Sequence, residues 1–125
     1  MYAILLEKPG YLALKVADSI TWDDYQELRP LLDTALHSAK RPRLYWEMEY
    51  FRGWKPDELW RDFQFDLTVT ADFSAIALVG STANINQVMP AMEVIFRADI
   101  RTFPEGEKGN AWTWFCGNQF ERPSK

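Results

Sequence analysis

Cysteine and histidine are nearly absent from this 125-residue chain, which carries one of each, Cys116 and His37. A single cysteine excludes an intrachain disulfide and makes a reducing compartment the simplest assumption. One Cys and one His also cannot assemble a His/Cys zinc site within one chain. His37 falls opposite the buried stripe of the first predicted helix, where a surface position is expected and a Ser–His or Cys–His dyad is disfavoured. Cys116, beside Phe115, reads as a buried thiol rather than a nucleophile. No window approaches the roughly 18 consecutive apolar residues of a membrane-spanning helix. The stretch Met1 to Pro9 reads as a strand and a turn, not a signal peptide, so the expected location is cytoplasmic. The formal net charge is -4, with the positive residues scattered. Phosphate contacts dominate nucleic-acid affinity, so neither DNA nor RNA is an expected partner.

What the chain does have is aromatic surface. Six Trp, five Tyr and eight Phe make up 15% of it, within an ordinary 47% hydrophobic and 26% charged composition. That length suits one domain over residues 1–125, and those rings must fill a core, line a pocket or meet a partner.

Two apolar runs, Ala3–Glu7 and Tyr11–Val16, flank Lys8-Pro9-Gly10. Pro then Gly fits the centre of a type II turn, and an antiparallel pair follows. Thr21 and Asp24 form a near-capping box for a helix whose stripe is Tyr25, Leu28, Leu32, Ala35 and Ala39, flanked by Leu31 and Leu36, with Pro30 expected to bend it or weaken its first turns. Leu44–Met48 reads as a third strand. Gly53 and then Lys55-Pro56-Asp57-Glu58 signal a second helix over Pro56–Val69. Its Leu59, Trp60, Phe63 and Leu67 share one arc while Phe65 and Val69 lie nearly opposite, so it is apolar on two faces. Ala75–Val79 lacks alternation, as a strand covered on both faces does. A third helix runs through Val88 to Phe96, Asp99–Phe103 alternates like an edge strand, and Ala111–Cys116 starts a short fourth helix. The residues from Gly117 to Lys125 are expected to fray.

The resulting fold class is α/β: a mixed β-sheet of about five strands flanked by about four helices, its later strands parallel. Ligands of such sheets favour the carboxyl ends of strands, here the segments after Met48, Val79 and Phe103.

Three groups invite a chemical reading. Phe51, Trp54, Leu59, Trp60 and Phe63, with Met89, Met92 and Phe96, are the candidate ligand-binding residues. They either line an apolar pocket between two helices or form ordinary core. Glu47 and Glu49 share one side of a strand. Paired carboxylates suit acid–base work, but these are equally open to solvation or to neutralisation by Arg52 and Lys55. Gly80-Ser81-Thr82-Ala83-Asn84 follows a central strand and offers hydroxyls and N–H groups, yet lacks the second Gly and the Lys of a phosphate-binding loop. A plain polar turn is favoured there.

The order of elements, with Ala75–Gly80, Ala98–Phe103, Ala111-Trp112-Thr113-Trp114 and the segment Tyr45–Trp54, resembles the SpoIIAA-like family, a branch of the STAS-type domains. The resemblance spans nearly the whole chain and rests on core patterns. It implies a small sheet flanked by helices, without an assigned enzymatic activity; neither catalysis nor a cofactor is expected of this chain. It also implies binding of a nonpolar small molecule or lipid beneath two mobile helices, with peripheral membrane association. Those helices would correspond to Pro56–Val69 and Val88–Phe96. Anti-sigma-factor antagonists of this fold carry a phosphorylated Ser or Thr after the third strand, whereas Glu49–Pro56 contains neither, so a phosphorylation switch of that kind is not expected. A protein-interaction domain, as a homodimer or with another partner, is the alternative reading.

Overall fold

Pro9 and Gly10 make the turn that their types predict. In the computed structural model, which describes residues 1–55 and 72–123, Gly10 takes φ 82 between β1 (Tyr2–Lys8) and β2 (Tyr11–Thr21). The two strands pair antiparallel from Lys8 opposite Tyr11 outward, with Leu5 bulged out of register. Beyond the hairpin, β3 (Arg43–Lys55), β4 (Ala75–Val79) and β5 (Asp99–Phe103) join in chain order, and β2 to β5 are mutually parallel. Every residue of β4 is buried, as its unbroken apolar run requires, and β5 occupies an edge.

Alternation along the strands separates two apolar layers. Leu12, Leu14, Val16, Leu44, Trp46, Met48, Ile76 and Leu78 pack with α1 (Trp22–Leu36) and α2 (Thr82–Ile95). Ala13, Tyr45, Ala77 and Val79 pack with Ala111, Trp112 and Phe115 of α3 (Lys108–Cys116). Arg43 at the start of β3 ties the second layer down, donating to the carbonyls of Trp114 and Phe115 at 2.7 Å each.

The capping box forms in full: Asp24 N–H donates to Thr21 Oγ1 at 3.2 Å and Thr21 N–H to Asp24 Oδ2 at 3.0 Å. The helix then runs through Pro30 and stops at Leu36, with His37 as its C-cap. Ala39, expected in the stripe, therefore lies beyond the helix and is exposed, while Leu36 from the flank is buried. Three of the four expected α-helices fall on described residues and are found there. The fourth, over Pro56–Val69, lies outside the described residues.

One boundary differs more deeply. The third strand does not end at Met48 but continues to Lys55, paired with β2 out to Thr21. Asp18 faces Phe51 and Ser19 faces Gly53, so Tyr50 and Arg52 are extra residues taken up by bulges. Those bulges need left-handed backbone, with φ 52 at Tyr50, 58 at Asp18 and 92 at Gly53. Gly53 is also crowded, since a Cβ there would come 2.5 Å from Gln87 Nε2 of α2. Tyr50 is 84% exposed, so its ring contributes little packing to offset the strain. Tyr50→Gly is expected to raise stability by about 0.5–1 kcal/mol in denaturant titration; a loss would show that the exposed ring makes a contact worth more than the strain.

Candidate functional site

The apolar candidates on described residues come together. Phe51, Trp54, Met92 and Phe96 are all buried in the α1/α2 layer, with Met89 half-buried against them. Phe51 meets Trp54 edge to face at 6.3 Å, Trp54 lies 6.2 Å from Trp46, and Phe73 meets Phe96 at 5.2 Å. The long β3 makes this possible by carrying Phe51 and Trp54 past the end of β4 to meet α2. Asn84 fixes the junction, its buried side chain donating to the Phe51 carbonyl at 2.7 Å. Leu59, Trp60 and Phe63 lie outside the described residues. Within the layer Trp46 is 1% exposed, and its indole N–H has no acceptor among the described residues.

The opposite layer contains a polar constellation. Glu47 is fully buried there and its Oε1 accepts from Tyr45 Oη and Arg122 Nη2, both at 2.6 Å. Lys108 Nζ stands 3.6 Å from Oε2, which has no hydrogen-bond donor among the described residues. Burial alone would push this carboxyl up, but the bonds from Arg122 and Tyr45 and the charges of Arg122 and Lys108 outweigh it and hold it below the usual glutamate range. Burial and the bond to Glu47 push the Tyr45 phenol up. A carboxylate stabilised as the anion, beside a phenol stabilised as the neutral form, makes a structural ion pair rather than a proton relay.

This corrects two sequence expectations. Glu47 is neutralised not by Arg52 and Lys55 but by Arg122 and Lys108, because its side of β3 faces α3; Arg52 instead pairs with Asp18 and Glu49 with Lys15. The segment after Gly117, expected to fray, is described to Pro123 and packed across the sheet. Phe120 meets Tyr11 ring to ring at 5.4 Å, and its carbonyl accepts from Trp112 Nε1 at 2.8 Å. The residues missed by sequence reasoning are Arg122 and Lys108, and the one legible signal for Arg122 was an apolar Phe120 two residues earlier.

At the carboxyl ends of the parallel strands, the segments after Met48 and after Phe103 do meet. Met48, Glu49, Tyr50, Glu105 and Lys108 line a polar cleft of about 300 Å³. The segment after Val79 instead caps α2, with Ser81 Oγ accepting from Asn84 N–H at 3.1 Å. A larger groove, about 540 Å³, opens beside β1 and is lined by Met1, Ala3, Leu5, Ala17 and Pro123, with Lys15 and Glu49 inside it. His37 is exposed near Asp33. Cys116 is buried, and burial pushes its thiol up, away from the reactive thiolate. Among the described residues no group of three or more His, Cys, Asp or Glu is placed to hold a metal ion. No helix among them is long and apolar enough to cross a membrane.

A five-stranded mixed sheet in this order, with α1 and α2 on one face and α3 on the other, defines a STAS-type α/β domain. The profile of the SpoIIAA-like family matches residues 11–116, and the chain belongs to that family. An uncharacterised protein with a SpoIIAA-like fold from Shewanella loihica PV-4 is similar in structure, with a TM-score of 0.68 at 24% identity over 92% of this chain and 94% of that one. No curated protein matches the sequence.

Proposed function

We propose that this domain is a non-catalytic binding module that takes up a nonpolar small molecule or lipid on the α1/α2 side of the sheet, with peripheral association at a membrane surface. STAS-type domains are in general non-enzymatic. The observation that carries the reading is the Trp46 indole N–H, buried in the apolar layer that also contains Phe51, Trp54, Met92 and Phe96, with no acceptor among the described residues. Leaving a buried donor unpaired costs on the order of 1–3 kcal/mol. An amphiphile with an apolar body and a carbonyl or carboxylate head would supply the acceptor. The surrounding methionines repack at low cost around irregular shapes. Native mass spectrometry and organic extraction of the purified protein, with vesicle flotation, test the reading. A co-purifying amphiphile whose occupancy falls in Trp46→Phe is the expected result. A single unliganded mass, no extractable molecule and no vesicle binding would end it.

A second reading has its own support in the edge strand β1, where Ile4 is 47% and Met1 61% exposed. An apolar edge is a template for pairing with another copy. A homodimer of this kind predicts a molecular mass that doubles with rising concentration in light scattering and stays monomeric in Ile4→Lys.

A further inference from the structure

In the layer between the sheet and α3, a buried carboxylate is engaged by a guanidinium from the chain's own C-terminal segment. Tyr45, Trp112 and Phe115 form a ring cluster with centroids 5.0, 5.2 and 5.7 Å apart, and Glu47 sits buried beside it. Arg122 enters with Nη2 on Glu47 Oε1 at 2.6 Å and Nε 3.4 Å from Tyr45 Oη. A buried carboxylate with a phenol hydroxyl beside it suits a planar, hydrogen-bonding cation.

The fit of Arg122 is incomplete. A guanidinium facing a carboxylate squarely makes two parallel bonds, one to each oxygen. Arg122 satisfies only Oε1, and Oε2 is left with Lys108 at 3.6 Å and no hydrogen bond among the described residues. The segment that delivers Arg122 is held by a few side-chain contacts, with much of its surface in solvent. Gly117, Asn118, Gln119 and Glu121 are exposed, Phe120 is half-buried, and Pro123 borders the groove beside β1.

We propose that Glu47 and Tyr45 form a guanidinium-binding site, that residues 117–123 are a strap closing it with Arg122 as a tethered ligand, and that an arginine side chain presented from outside replaces Arg122. The outside arginine engages both carboxylate oxygens, which the tethered one does not. The source is either a free arginine derivative or an arginine within a peptide chain, and the chemistry recognised is the same.

The test uses the full chain carrying Arg122→Ala, titrated with N-acetyl-arginine amide, with N-acetyl-lysine amide and with a peptide of sequence Phe-Glu-Arg-Pro. The Trp112 indole N–H, which bonds the strap at the Phe120 carbonyl, serves as the NMR reporter. Saturable shifts are expected with the arginine amide, at least about tenfold tighter than with the lysine amide. They should vanish when Glu47→Gln is added. Tighter binding of the peptide than of the amide assigns a peptide source, and equal binding assigns the free cation. Should Arg122→Ala not fold, Phe120→Ala loosens the strap without touching the carboxylate and undergoes the same titration. Equal, unsaturated shifts for the arginine and lysine amides, or shifts that survive Glu47→Gln, would overturn the proposal.

Discussion

Glu47→Ala is expected to lower the unfolding free energy by about 3 kcal/mol, a fall of roughly 10 °C in Tm for a domain of this size. The size of the effect follows from what the substitution leaves behind. Arg122, with its side chain 20% exposed, loses the carboxylate that balances its charge, and the Tyr45 hydroxyl loses its acceptor. Removing one member of a buried pair is costly because the other stays buried without compensation, whatever the net worth of the intact pair. Lys108, more exposed, turns to solvent and adds little. Glu47→Gln keeps the shape and one acceptor, so a smaller loss is expected at neutral pH.

The same carboxylate gives the stability a pH dependence of known sign. Its folded pKa lies below its unfolded value of about 4.3, so the contribution is complete above that value and is lost as the pH falls through the folded one. The stability gap between the natural chain and Glu47→Gln is therefore full at pH 7 and narrows below about pH 4. Denaturant titrations of both proteins across that range check it, and a gap that stays constant on acidification would falsify the assignment of this carboxylate as the ionised centre of the network.

Much of the fold was legible because its determinants are local or periodic. Pro9-Gly10 specifies a turn, Thr21 and Asp24 specify a cap, and the unbroken run Ala75–Val79 specifies a strand buried on both faces. The alternation of strands with helices placed these elements in one mixed sheet, as the family resemblance also implied. The continuation of β3 was not legible because bulges are set by backbone angles that no side-chain pattern announces. Tyr50 at φ 52 is an unusual choice for the left-handed region, and Gly53 reads as readily as a helix boundary. The Glu47 network was hidden for another reason. Its partners Tyr45 and Arg122 are 2 and 75 residues away, so an acid that alternation puts on a strand face gives no sign of being buried. The apolar candidates were legible as a cluster because aromatic side chains rarely stay in water, but whether such a cluster is core or pocket depends on packing that composition does not encode.

The second large effect belongs to Trp46, where two substitutions separate packing from polarity. Trp46→Ala is expected to cost about 3–5 kcal/mol, because the ring is 1% exposed and its removal opens a cavity between the sheet and the α2 layer. Trp46→Phe keeps an aromatic ring against Trp54 and removes the indole N–H together with part of the volume. The smaller ring leaves a void that costs about 1–2 kcal/mol, while deleting a buried donor with no acceptor among the described residues returns about 1–3 kcal/mol. Near-neutral stability in Trp46→Phe, beside severe loss in Trp46→Ala, is the expected pattern in unliganded protein. In protein that retains a bound amphiphile the N–H is paired, and the same Phe substitution then costs a hydrogen bond as well as volume. Measuring both variants before and after organic extraction thus reads the state of the indole directly. If Trp46→Phe loses the same stability in both preparations, no bound molecule reaches Trp46, and the apolar layer on this face is core rather than a binding site.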